Sequence, residues 1–178
     1  MKNYEVELTI LKQEHIPLLK DMVKNWIKQE SVVYPYGIVK AYRSAIHDII
    51  YNGSEQDDEA ESTVLMFLLD KQLNEFIGAV DIRRYSSRVN SKGYINSTIA
   101  YGISPLYRRK GYGTKQLELA INICNELGIK EINMLCNKNN IGSRKIIEAN
   151  SGLFVRQIQV GDKTLLEYII KQYEKEGQ

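Results

Sequence analysis

The stretch Tyr107-Arg108-Arg109-Lys110-Gly111-Tyr112-Gly113-Thr114 sets three consecutive cations beside two glycines one residue apart. It lies between a short apolar run, Ile99 to Ile103, and an amphipathic run that begins near Lys115. A strand, a basic glycine-containing loop and a helix start, in that order, make an anion site. Free N–H groups at a helix N-terminus point at a ligand, and the helix dipole favours negative charge there. Glycine lets backbone approach a phosphate closely, and arginine and lysine add charge and donors. The loop is therefore expected to hold a diphosphate. It has neither the Gly-Lys-Thr/Ser ending of a P-loop nor the G-x-G-x-x-G spacing of a dinucleotide fingerprint.

Other reactive side chains are sparse. Cys124 and Cys136 do not make a CxxC pair, and Cys136 on an apolar face reads as core rather than nucleophile. His15 and His47 are the two histidines, with no cluster of ligands around them, so no metal site is expected. Glu55, Asp57, Asp58, Glu59 and Glu61 lie in a polar stretch whose spacing does not match an EF-hand loop, and they read as a solvated segment.

The elements that must position the basic loop follow from periodicity. Val6, Leu8 and Ile10 alternate as a strand. Leu18, Leu19, Met22, Val23, Trp26 and Ile27 recur at helical spacing, and Tyr42, Ala45, Ile46, Ile49 and Ile50 suggest a second helix. Val64 to Leu69 and Phe76 to Ile82 read as strands joined by a turn at Lys71 to Asn74, followed by a polar loop from Arg83 to Gly93. Leu117, Ala120, Ile121, Cys124 and Leu127 mark a helix face that stops at Gly128. Ile132, Met134 and Cys136 follow as a strand, which implies a right-handed parallel crossover from Ile99–Ile103. Asn140 can cap a helix from Ile141 to Ala149, and Val155 to Val160 and Thr164 to Tyr173 flank a hairpin signal at Gly161-Asp162. The order is β-α-α-β-β-β-α-β-α-β-β, an α/β fold with a central mixed sheet flanked by helices.

Composition limits the partners. The chain has 178 residues, 43% apolar and 26% charged, so residues 1–178 are expected to form one globular domain. A net charge of +2 argues neither for nucleic acid nor for a membrane surface. No apolar run approaches the roughly 20 residues of a membrane helix. The start, Met1-Lys2-Asn3-Tyr4-Glu5, has no signal-peptide pattern, and a reducing, cytoplasmic setting is expected. An exposed terminal hairpin could support a homodimer.

Set among these elements, Arg108-x-x-Gly111-x-Gly113 resembles the acyl-CoA signature of the GNAT superfamily of N-acetyltransferases: Arg or Gln, two residues, Gly, one residue, Gly or Ala. Ser104-Pro105 before the loop fits, as does Asn140-Ile141-Gly142-Ser143, which is similar to the family's Asn-x-x-Ala/Ser segment. The resemblance runs from about Val6 to Tyr168 and is most specific from Ile99 to Gly152. Cys136 to Asn150, Gly78 to Arg83 and Ile99 to Ile103 look like a bacterial group of predicted acetyltransferases without an assigned substrate.

The resemblance implies roles. Acetyl-CoA would be the co-substrate, without a metal. Backbone amides of Lys110, Gly111, Tyr112, Gly113 and Thr114 would bind the diphosphate, with Arg108 and Arg109 nearby. The pantetheine arm would pair with backbone near Tyr101 and Ile103 as an added strand does. Asn140 and Ser143 would contact the arm or the adenosine. The acceptor, a primary amine of a small molecule or peptide, would enter near Asp81, Arg83 and Thr98 and attack the thioester directly. An alkyl ammonium near pKa 10 must lose a proton, so Asp81, acting through water, is the first candidate for the base. An ion pair of Asp81 with Arg83 is its structural alternative. Two positions depart from the pattern. Ile147 stands where many members carry a proton-donating tyrosine, and Thr98 stands where the bacterial group has a histidine. Tyr101, Thr98, Ser143 or water would then serve as the acid. A non-catalytic acyl-CoA-sensing domain of the same fold is the alternative that Ile147 favours.

Overall fold

The computed structural model describes residues 5–29, 62–85, 87–89 and 95–172. Their elements are β1 (Val6–Thr9), α1 (Ile16–Lys28), β2 (Ser62–Asp70), β3 (Glu75–Arg84) and β4 (Ile99–Ile103), then α2 (Tyr112–Glu126), β5 (Glu131–Asn137), α3 (Ile141–Ala149), β6 (Leu153–Val160) and β7 (Lys163–Lys171). The helix expected over Tyr42 to Ile50 and the acidic stretch Glu55 to Glu61 lie outside the described residues. Among the described residues, no helix is long and apolar enough to cross a membrane.

Local signals account for most boundaries. Leu19, Met22 and Trp26, at helical spacing, are the buried residues of α1, and Pro17 sits in its first turn, where no N–H partner is lost. The β2–β3 turn is held by Asp70, whose Oδ1 accepts from the N–H groups of Gln72 and Leu73 at 3.0 and 3.1 Å. Gly128, at φ 72°, ends α2, and Gly161, at φ 58°, turns the chain between β6 and β7.

Two expectations are corrected by pairing. Arg83 and Arg84 belong to β3, not to a loop, because Thr63 and Ser62 of β2 pair with them. Helix α2 starts at Tyr112 rather than near Lys115, so Tyr112, Gly113 and Thr114 form its first turn.

The strands form two antiparallel sheets, β1-β2-β3-β4 and β5-β7-β6. The expected parallel contact between β4 and β5 shrinks to a clamp at their beginnings. There Thr98 N–H donates to Asn133 O at 2.8 Å, and Asn133 N–H donates to Thr98 Oγ1 at 3.1 Å. Beyond the clamp the two strands share no ladder. Each is paired on its far side, β4 with β3 and β5 with β7. Sheet twist then carries the two near edges apart.

Two apolar layers fix the faces. Leu19, Met22 and Trp26 of α1 pack with Phe67, Phe76 and Ala79 on one face of the first sheet. On the other face, Leu117, Ala120 and Cys124 of α2 and Ile147 of α3 pack over Val80, Ile82 and Ile99, and over Ile132, Met134, Leu166 and Tyr168 of the second sheet. Burying a Leu or Ile side chain contributes roughly 1.5–3 kcal/mol. This shared helix layer is what holds the two sheets together past the clamp.

Candidate active site

The basic loop closes as a frame of backbone donors. Arg109 and Gly111 both take left-handed backbone, at φ 58° and 93°. Gly111 is the N-cap of α2 and offers no side chain to cap it, and no acid lies in the first turn. The first N–H groups of a helix have no partner within it. Those of Tyr112, Gly113 and Thr114 thus lack the side-chain acceptor that ordinarily answers them, which fits an anion.

The individual side chains of the loop divide differently from the sequence expectation. The phenol of Tyr112 is buried and donates to Asp70 Oδ2 at 2.8 Å, so only its backbone N–H is left for an anion. Gly113 is a packing glycine: a Cβ there would stand 2.6 Å from Ile146 Cδ1, against α3. Gly111 alone meets the expectation of a glycine needed by the loop backbone. Arg108 turns back, its Nε donating to Ile103 O at 2.9 Å and its guanidinium lying 5.9 Å from the centre of the Trp26 ring. Burial pulls the Arg108 guanidinium down from its ordinary value. Arg108 therefore ties the loop to the end of β4. Arg109 is exposed at the loop surface, and Lys110 Nζ lies 5.3 Å from the centre of the Tyr107 ring.

Between β4 and β5 lies a cleft that leads away from this loop. Ser104 N–H donates to Ile77 O, and Arg83 N–H donates to Thr98 O, both at 2.8 Å. Antiparallel alternation then turns the backbone of Ala100 and Gly102 toward β3 and that of Ile99, Tyr101 and Ile103 toward the cleft. The Tyr101 side chain spans it on the helix side. Its hydroxyl lies 3.0 Å from Ser143 Oγ and donates to Ser143 O at 3.3 Å, in the first turn of α3. Burial pushes this phenol well above its ordinary value, so it keeps its proton at neutral pH. Asn140 caps α3, its Oδ1 accepting from Ser143 N–H at 3.0 Å, which commits that oxygen to the helix end.

Asp81 lies on the opposite face, in line with Ala79, which packs toward α1. Its β4 neighbours on that face are Ala100 and Gly102, two small residues that leave the strand open. Asp81 is buried, and its Oδ2 accepts from Arg83 Nη2 at 3.0 Å. Burial pulls the Arg83 guanidinium down, but Asp81 and Tyr85 beside it outweigh that and hold it up. Thr98, considered for the acid, accepts from Asn133 N–H at its Oγ1 in the clamp.

Periodicity did not pick out one further group. Glu167 of β7 is fully buried, with Arg88 Nη2 on its Oε1 at 2.6 Å and Arg156 Nε on its Oε2 at 2.7 Å. The sequence signal was a lone acid inside the apolar run Leu165 to Ile170.

Residues 7–151 match the family model described as the acetyltransferase (GNAT) domain. The chain belongs to the GNAT acetyltransferase family. Solved structures agree on its fold. The ribosomal-protein-S5-alanine acetyltransferase of Vibrio fischeri superposes with a TM-score of 0.68 at 11% identity, over 98% of this chain and 97% of that one. An acetyl transferase of Salmonella typhimurium that modifies the N-terminal serine of a 50S ribosomal subunit protein gives 0.64 at 12% identity, over 96% and 97%. The microcin C7 self-immunity acetyltransferase MccE, solved with acetyl-CoA and AMP, gives 0.64 at 15% identity, over 96% and 94%. No curated protein matches by sequence. As a GNAT acetyltransferase, the chain is an acyltransferase that uses acetyl-CoA. In this GNAT chain Ile147 is a core residue, fully buried under Gly152, where a Cβ would run into the Ile147 side chain and carbonyl.

Proposed function

We propose that residues 1–178 act as one domain that moves an acetyl group from acetyl-CoA directly to a primary amine of a small molecule or peptide. The observation that carries this reading is the cleft between β4 and β5, which runs from the uncapped N-terminus of α2 to the clamp at Thr98 and Asn133. The diphosphate would lie on the first N–H groups of α2, with Arg109 and Lys110 supplying charge. The pantetheine arm would lie along β4, bonded to the backbone of Tyr101 and Ile103, although Arg108 already occupies Ile103 O. Ribosomal N-termini as acceptors of two neighbours favour a peptide α-amine here.

In the transfer, Asp81 takes the ammonium proton through water, and Arg83 fixes the orientation of its carboxylate. The amine nitrogen bonds to the thioester carbon, gives up its second proton to solvent, and the C–S bond breaks. Tyr101 donates its proton to the departing thiolate, and solvent restores it through Ser143. The N-terminus of α3 adds a favourable dipole toward the thiolate.

Thiol release from acetyl-CoA tests this reading with a panel of small amines and short peptides. Release above the no-amine control is the expected result. Tight CoA binding without release across the panel would overturn it in favour of a sensing role.

A further inference from the structure

A pocket of about 220 Å³ lies beneath the clamp, lined by Arg83, Ser87, Asn96, Thr98, Glu131 and Asn133, among others. Alternation decides which side chains share its face. Asn133 lies between Ile132 and Met134 on β5, and both of these point into the helix layer. Asp81 lies between Val80 and Ile82 on β3, and Thr98 precedes Ile99 on β4, with the same result. Asp81, Thr98 and Asn133 therefore share the face away from the helix layer, on three neighbouring strands. The diphosphate loop is at the other end of β4.

Asn133 is 8% exposed, yet its Oδ1 has no hydrogen-bond partner among the described residues. Its backbone is fully used: the N–H donates to Thr98 Oγ1 and the O accepts from Thr98 N–H. The clamp thus needs the backbone of residue 133 and not its carboxamide. An apolar side chain would serve the strand there without the cost of a buried, unpaired oxygen. A carboxamide carries an acceptor at one end and two N–H donors at the other, and a half-turn about Cβ–Cγ exchanges the ends in place. The end at the pocket wall can then be the oxygen. Its natural complement is the N–H of a peptide group.

We propose that Asn133 holds the first peptide group of the acceptor, its Oδ1 accepting from the amide N–H that follows the reacting α-amine. The span fits. Asp81 and Asn133 lie two strand spacings apart and are offset by two residues, which makes roughly 10–12 Å. A bridging water sets the amine about 5–6 Å from the Asp81 carboxylate. The N–Cα–C–N run of an α-amino amide adds about 4 Å, and one hydrogen bond to Oδ1 about 3 Å. An amine at the end of a long side chain would leave its peptide group out of reach. This inference rests on the transfer reading and narrows its acceptor to an α-amine followed by an amide.

The test compares Ala-Gly-Gly with the same peptide carrying an ester oxygen in place of its first amide N–H. The amide is expected to exceed the ester in kcat/KM by about tenfold or more, because the ester leaves Oδ1 unpaired. Asn133→Leu, close in size and without polar atoms, should shrink that ratio to within about threefold. Asn133→Asp, which keeps an acceptor oxygen, should retain it. CoA affinity by calorimetry reports an intact fold in both variants. Equal kcat/KM for amide and ester in the unaltered protein, or an unchanged ratio in Asn133→Leu, would overturn the role of Asn133 and leave the transfer reading standing. If neither compound is acetylated, calorimetry of both on the CoA-loaded protein decides. Tighter binding of the amide, lost in Asn133→Leu, supports the site without the transfer; no difference overturns it.

Discussion

Gly111 separates backbone strain from charge at the diphosphate loop. It caps α2 at φ 93° and ψ −11°, a conformation that costs an L-residue about 1–2 kcal/mol. Gly111→Ala should therefore lower the melting temperature by about 2–8 °C for a chain of this size. Gly111→Glu carries the same strain and adds a negative charge at the helix N-terminus. At about 4–5 Å from a phosphate and an effective dielectric near 20, the repulsion is about 3–4 kcal/mol. CoA affinity should fall by about 10²–10³ relative to Gly111→Ala. The assay is calorimetry with CoA, paired with a thermal melt to show that both variants fold. Acetyl-pantetheine, which lacks the diphosphate, should bind the two variants alike. A folded Gly111→Glu protein that binds CoA within about threefold of Gly111→Ala would refute the loop as the diphosphate site.

Three other perturbations probe the rest of the cleft. Asp81→Asn should lower kcat at neutral pH by about 10²–10⁴ while sparing CoA affinity; an unchanged pH–rate profile would remove Asp81 as the base and leave it a structural partner of Arg83. Tyr101→Phe should lower kcat by about tenfold or more, with acetyl-CoA affinity kept, and the deficit should shrink with a thioester of a more acidic thiol; a deficit independent of the leaving group would remove Tyr101 as the acid. Gly113→Ala should destabilise the fold by about 1–3 kcal/mol in denaturant titration, and Ile146→Val, which removes the Cδ1 that the new Cβ would strike, should restore part of it; strictly additive effects would contradict the close α2–α3 packing.

Features governed by near neighbours were legible in the chain itself. The strand Ile99–Ile103, the cap at Asn140 and the turn at Gly161 all depend on contacts within a few residues, and each lies where the pattern put it. Roles set by distant partners were not legible. The partner of the Tyr112 phenol is Asp70, 42 positions earlier. Gly113 looked like room for a phosphate, but Ile146 of α3 requires it. Arg83 looked like loop, but pairing with Thr63 makes it strand and thereby sets it beside Asp81. Arg88 and Glu167 are 79 positions apart, and nothing in local periodicity links them.

The motif Arg108-x-x-Gly111-x-Gly113 by itself determined a basic loop that leads into an uncapped helix N-terminus, because backbone conformation and helix-end charge are local properties that a few residues set. Tertiary structure alone decided the cleft beside that loop. Two antiparallel sheets meet where Ser97 and Thr98 bond to Leu135 and Asn133, and diverge under their own twist. That divergence opens the cleft, sends Tyr101 across to Ser143, turns Asp81 to the opposite face and gathers three arginines below the apex. Such placements depend on register between strands far apart in sequence, which no window of neighbouring residues encodes.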